Sequence, residues 1–552
     1  MKFPRFSSLC KICTMKLLSF LLAAMAIFSV SCQTNKKSDA TNVAFQFVTN
    51  DFLDRSAEPK PTNQFTLNED PYLSMSFTLE QPLVKSLSAL APDLSEAELL
   101  ERGNFQFSFY VDNELIYTEN LNKGAGSPVS KTSRLQHTVP LIYPERIDFW
   151  RWYMWLRFMR LNGSIDALDS GKHALTIEVR PYLEQETLKV GDILAKGSLD
   201  MDVREPSYDA AMVPIQEIQP GSGWTVSSDS YDRDRIEALN KKIAQGRFEN
   251  INGIVVIKNG ELLIEEYFNG ADRESLHNPR SVGKTIASTV AGIAIADGHL
   301  ESEGMTLDQF YDLKSFKNYA AKKDKVTLKS LLTMTSGFIG DDDDYENPGN
   351  EEFMYPKDDW VKFTLDLPMA DREIGEAYAY FTAGVVVLGD VLHKSVPGGL
   401  VDYADEKLFK PMGITNYQWQ YTPQKVGNTA GGIQLRAVDF AKYGQLYKNK
   451  GNWNGRQILT EEWVSKSLSQ HIKQPFGEDN YYGYLFWNRT YEVNGEKHEV
   501  YYCTGNGGNK IFIFNDLPYV IVITASAYGM PYAHINVDTM MTDYILPAIL
   551  NE

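Results

Sequence analysis

Ser281-Val282-Gly283-Lys284 pairs a hydroxyl with an amine three residues away, just before an alanine-rich stretch that runs toward Asp297-Gly298. Side chains three residues apart at the start of a helix share one face. A serine nucleophile with a lysine base needs that geometry. A free lysine amine is protonated at neutral pH, so Lys284 can accept the Ser281 proton only where burial or a nearby cation favours the neutral form. The stretch that follows supplies burial: Ile286, Val290, Ile293 and Ile295 with Ala287, Ala291, Ala294 and Ala296 make a helix apolar on nearly every side. The N–H groups of a first helical turn lack internal partners, so the Ser281 amide is a candidate donor to an oxyanion.

The elements that must position this pair are readable on both sides. Ile254 to Ile257 and Leu262 to Ile264 flank Asn259-Gly260, the pattern of an antiparallel hairpin. Val326 to Gly337 predicts a short helix ending at glycine. Gly375-Glu376-Ala377-Tyr378-Ala379-Tyr380 leads into Val385-Val386-Val387-Leu388-Gly389. Tyr501-Tyr502-Cys503-Thr504-Gly505-Asn506-Gly507-Gly508 precedes two apolar strands, Ile511 to Phe514 and Tyr519 to Thr524.

From about Gly221 onward, these ordered motifs resemble the serine beta-lactamase-related hydrolases, the superfamily of class C beta-lactamases, D-alanyl-D-alanine peptidases and related esterases. Within it the chain looks most like the 6-aminohexanoate-dimer hydrolases. The resemblance implies an α+β catalytic domain of beta-lactamase/transpeptidase type, an antiparallel sheet flanked by helices plus a helical region. It implies Ser281 as nucleophile, Lys284 as general base and Tyr380 as proton shuttle to the leaving group. The family's second motif, Tyr-x-Asn or Tyr-x-Ser, falls on Tyr380-Phe381-Thr382, so Thr382 departs from the asparagine that would supply a substrate-facing amide. The third motif, Lys-Thr-Gly or His-x-Gly, falls on Cys503-Thr504-Gly505, with the Asn506 N–H as second oxyanion donor. Cys503 is the larger departure, because a neutral thiol replaces a cation.

With 54 basic and 72 acidic residues, the net charge of −18 disfavours a nucleic-acid partner. The mature region carries no H-E-x-x-H or paired Cys-x-x-Cys site, so neither a metal nor another cofactor is expected. At the N-terminus Lys2, Arg5, Lys11 and Lys16 precede an apolar run from Leu17 to Val30, the pattern of an export signal rather than a membrane span. Small residues before Cys32 resemble a bacterial lipobox. The expectation is a signal over residues 1–32, lipidation of Cys32, a tether over 33–41, and a protein anchored by its lipid in the bacterial cell envelope, on the outer-membrane or periplasmic side.

Residues 42–204 follow a different rule. Leu73-Met75-Phe77-Leu79, Phe105-Phe107-Phe109-Val111, Leu175-Ile177-Val179 and Leu199-Met201-Val203 alternate with polar or amphipathic residues, which predicts half-buried antiparallel strands in a small all-β sandwich. Ser95-Glu96-Ala97-Glu98 is a capping box for one short helix stopping at Gly103. A Pro/Gly-punctuated linker, 205–223, leads to the catalytic domain, 224–552.

Two features carry two readings each. The aromatic run Phe149 to Phe158 suits a stacking or lipid surface, or a buried contact of the sandwich. The Asp341-Asp342-Asp343-Asp344 loop suits cation binding or repulsion of anionic substrates, or a solvated turn. For function, the leading expectation is an envelope serine hydrolase that cleaves a small-molecule amide or ester through an acyl-enzyme. The alternatives are a beta-lactamase or D-alanyl-D-alanine carboxypeptidase, and a binding protein of the same fold that has lost turnover.

Overall fold

The computed structural model describes residues 45–51, 58–123, 125–143, 152–161, 167–475 and 480–550. Cys32, the export signal and the tether lie outside the described residues, as do Phe149, Trp150 and Arg151 of the aromatic run. Two compact units divide the chain at Glu205–Pro206.

The first unit holds two sheets. One runs in the order Pro61–Thr62, Phe45–Val48, Leu73–Thr78, Gln136–Ile142. The other runs Gln64–Leu67, Ala195–Val203, Gly171–Glu184, Gly103–Val111, Glu114–Asn120, with Leu188–Val190 on the side of Gly171–Glu184. Met75 and Phe77 from the first sheet meet Phe107, Phe109, Leu175, Ile177 and Met201 from the second in one core. These are the alternating apolar residues, as a sandwich requires. Ser95 caps the helix Glu96–Arg102 reciprocally with Glu98, and Gly103 ends it by opening the next strand. Period-two alternation did not announce the helices Leu83–Leu90, Pro128–Thr132 and Trp152–Leu161. The last carries the described part of the aromatic run, from Trp152 to Phe158, and Met154, Trp155 and Phe158 are buried in the sandwich core.

The second unit is built on an eight-stranded antiparallel sheet. Its order is Glu261–Tyr267, Ile251–Lys258, Tyr519–Ala525, Asn509–Phe514, Glu496–Gly505, Trp487–Val493, Tyr481–Tyr482, Ile472–Lys473. Both faces are apolar and both are covered. Val255, Ile257, Ile511, Ile513, Val520 and Val522 join a core with the helices Lys284–Ala296, Thr382–Ser395 and Ala437–Lys448. Ile254, Val256, Phe512, Phe514, Ile521 and Ile523 point the other way, toward the helices Arg233–Ala244, Ala533–Thr539 and Leu546–Leu550. Asn259 and Gly260 both take positive φ, 52° and 81°, as the tight turn of the expected hairpin demands. The helix predicted to end at Gly337 is shorter. It spans Leu328–Leu332, because Thr333 leaves the helix and Met334 turns into the left-handed region at φ 58°.

Candidate active site

Lys284 opens the long buried helix Lys284–Ala296, and every residue from Lys284 to Ala294 is buried. Ser281 does not belong to that helix. It sits in the 3₁₀ turn Arg280–Gly283 just ahead, half-buried, after an Arg280 held at φ 52°. A non-glycine residue in that region is uncommon, and such positions cluster at functional sites. The Arg280 guanidinium lies 4.4 Å from the centre of the Tyr528 ring, and the Tyr528 hydroxyl donates to the Asn278 carbonyl at 2.9 Å, so the strained turn is held from outside.

The turn brings hydroxyl and amine together. Lys284 Nζ is 2.7 Å from Ser281 Oγ and 2.8 Å from the Ala430 carbonyl oxygen. The lysine is 1% exposed and has no carboxylate partner among the described residues. Tyr380 completes the group: its ring centre lies 5.2 Å from Lys284 Nζ, and its phenol faces Ser281. Burial pushes the Tyr380 phenol above its ordinary value, while the neighbouring Lys284 and Ser281 pull it back. A protonated tyrosine is the form that can donate to a leaving group.

Two glycines let the backbone close around Ser281. A Cβ on Gly505 would lie 1.9 Å from the Pro279 carbonyl oxygen and 3.0 Å from the Ser281 nitrogen. A Cβ on Gly431, at φ 136°, would lie 2.4 Å from the Arg280 carbonyl oxygen. The end of the strand Glu496–Gly505 therefore abuts the nucleophile's turn, and Asn506 follows in an exposed turn directly after it. The Asn506 side-chain oxygen accepts from the Gly529 N–H at 2.8 Å, which fixes that turn. Thr504, half-buried on the opposite strand face from Cys503, has its hydroxyl 3.5 Å from His534 Nδ1.

Cys503 and Thr382 are not open to the surface. The Cys503 thiol is 1% exposed and donates to the Thr285 hydroxyl at 3.6 Å, on the core face behind the base. Burial pushes the thiol up to about 12, so it is neutral at physiological pH. Thr382 is fully buried at the first position of the helix Thr382–Ser395, and its hydroxyl has no partner among the described residues. Its direct service as a substrate-facing group does not fit that burial.

Sequence reasoning missed other parts. The Ala430 carbonyl is a backbone group with no side-chain signature, and Gly431 is its only trace. A run of four aspartates suggests cation binding, repulsion of anionic substrates or a solvated turn, and Asp342 does something else. Its carboxylate accepts from the Thr382 N–H at 2.7 Å and the Glu351 N–H at 2.8 Å. Trp487 stands beside Tyr380 with ring centres 5.7 Å apart, and Tyr378 and Tyr482 pack on Trp487 at 6.1 and 5.2 Å, giving the site an aromatic side.

A family model described as Beta-lactamase matches residues 239–538, more than half of the chain. The chain is also similar, at low identity, to several solved structures. One, described as a 6-aminohexanoate-dimer hydrolase from Bacillus anthracis, is 20% identical over 53% of this chain and 78% of its own, with a TM-score of 0.45. An octameric penicillin-binding protein homologue from Pyrococcus abyssi is 17% identical over 56% and 76%, with a TM-score of 0.44. A family VIII carboxylesterase is 16% identical over 58% and 98%, with a TM-score of 0.45. No curated protein matches the chain. The chain belongs to the beta-lactamase family and is a serine hydrolase.

Proposed function

We propose that this member of the beta-lactamase family hydrolyses a neutral ester or amide through an acyl-enzyme on Ser281, with Lys284 as general base. The observation that carries this reading is the 2.7 Å approach of Lys284 Nζ to Ser281 Oγ, made by a buried lysine without an ion pair among the described residues. Ser281 Oγ attacks the substrate carbonyl and its proton passes to Lys284. The C–O bond to Ser281 forms, and charge develops on the carbonyl oxygen. The Ser281 and Asn506 N–H groups are the candidate donors to that oxygen. The proton then travels through Tyr380 to the leaving alcohol or amine as its bond to carbon breaks. Water, activated by the same relay, releases the acid and restores Ser281.

Cys503 favours a neutral substrate over a penicillin or D-alanyl-D-alanine peptide. The position that carries a lysine in the penicillin-interacting pattern here holds an uncharged thiol turned onto Thr285. A missing charge-assisted bond to a substrate carboxylate costs about 1.5–3 kcal/mol of binding, or roughly ten- to a hundredfold in affinity. The Trp487 ring beside Tyr380 suits an apolar acyl group. We also propose export and anchoring through a lipidated Cys32, on the strength of the basic, apolar and small-residue pattern ahead of it. In the native host, Cys32→Ser should move the protein out of the membrane fraction; an unchanged distribution contradicts the anchor.

The test of function is a substrate panel on the purified protein. Neutral aryl and alkyl esters and amides should be turned over well above a penicillin, and Ser281→Ala should lose all of it. Penicillin turnover on a par with the best ester would select the beta-lactamase reading instead.

A further inference from the structure

We propose that Asp342 is a positioning residue for acylation: its loop clasps the Tyr380–Thr382 segment from both sides and so holds the Tyr380 phenol on Ser281. This rests on the roles given above to Ser281, Lys284 and Tyr380. The helix Thr382–Ser395 is preceded by Phe381, which offers no side-chain acceptor to the unpaired N–H groups of the first turn. The acceptor comes from 40 residues upstream, where one Asp342 oxygen takes the Thr382 N–H at 2.7 Å. The other oxygen takes the Glu351 N–H at 2.8 Å, at the start of the short helix Glu351–Met354. The Asp342 N–H donates to the Tyr380 carbonyl at 2.8 Å. Tyr380 therefore has its own carbonyl and the amide two residues on both tied to one aspartate.

The clasp is itself braced. Asn350, 1% exposed, points its side-chain amide at the carbonyls of Asp342, at 3.0 Å, and Asp344, at 3.2 Å, and its oxygen caps Glu352. A negative charge at a helix N-terminus is favourable, and this one sits beside the reacting groups.

Asp342 also titrates where activity can be measured. Burial and the Glu351 carboxylate push it up to about 6, against the opposing pull of Thr382 and Lys284; the Tyr355 and Tyr380 phenols face it as well. Below that pH one oxygen becomes a hydroxyl and the clasp loses an acceptor. The folded value lies above that of an ordinary aspartate, so the stability linked to this group is present at acid pH and is lost as pH rises through about 6. Protonation should thus weaken catalysis without unfolding the protein through this group.

The test measures the rate of fluorophosphonate labelling of the full-length protein across this pH range, with circular dichroism to follow the fold. The native protein should show an acid limb near pH 6. Asp342→Asn should lose that limb, with a plateau roughly ten- to a hundredfold lower, the scale of a reacting group displaced by about an ångström. For a neutral ester the loss should fall on kcat with KM nearly unchanged. Asn350→Ala, which leaves the carboxylate in place, should give a smaller loss in the same direction. If Asp342→Asn does not fold, the native pH profile and Asn350→Ala decide. A native rate that is flat through pH 6, an acid limb that persists in Asp342→Asn, or native rates in both variants would overturn the proposal. Labelling that survives Ser281→Ala would overturn the acyl-enzyme reading itself, and the Asp342 role with it.

Discussion

Both units bury lysines, and two of these, Lys131 and Lys284, are buried for different ends. Lys131 in the sandwich is 4% exposed and Lys284 in the catalytic unit 1%, and neither has a carboxylate partner among the described residues. Lys131 Nζ donates to three backbone carbonyls, those of Leu100, Gly103 and Lys123. All three ammonium protons are therefore placed, and the side chain ties a loop and a short helix to the strand Gly103–Val111. Lys284 Nζ has one carbonyl and one hydroxyl, and the hydroxyl is half-exposed on a strained turn. A buried amine surrounded by carbonyls is a fastener. A buried amine whose second partner is a serine is equipped to move a proton.

The largest effect that would break this contrast is at Lys284. Lys284→Ala should cut acylation by roughly 10²- to 10⁴-fold, the usual contribution of a general base, while the circular dichroism spectrum stays native. Activity within a few-fold of native would make Lys284 a fastener too. Next in size is Gly505→Ala. The added methyl meets backbone at Pro279 and Ser281, so it should displace the nucleophile's turn and cost up to about a hundredfold in rate. A fully active Gly505→Ala would show that the strand end does not set the position of Ser281.

Lys131→Met should do the reverse of Lys284→Ala. It orphans buried carbonyls and should lower stability by about 1–3 kcal/mol in a denaturant melt, with the labelling rate at Ser281 unchanged. A rate loss without a stability loss would contradict its structural role. The smallest effect concerns Cys503. As a buried, neutral thiol it should ignore an aromatic disulfide reagent in the native protein at about pH 8 and react only on unfolding. Fast native reaction would place it in an open site.

Much of the catalytic unit was legible because its signals are local. Asn259-Gly260 names its own turn, the alanine-rich helix names its burial, and Ser281 and Lys284 are three residues apart. Ser281 was placed one element too late, since nothing local separates a 3₁₀ turn from the helix it feeds. The sandwich strands were legible by alternation, whereas Leu83–Leu90 and Pro128–Thr132 are too short for a period to stand out. Asp342 was not legible as a clasp because its partners Tyr380 and Thr382 are far along the chain, and a run of four aspartates looks the same whether it faces water or caps a helix. The burial of Thr382 and the turn of Cys503 onto Thr285 are tertiary facts, invisible to motif matching.

The central claim is that one serine carries the reaction, and the most direct measurement is the location of a covalent adduct. The native protein treated with a fluorophosphonate and digested should give a single modified peptide, with the label on Ser281, and Ser281→Ala should give none. A label on another residue, or one that persists in Ser281→Ala, would contradict the account.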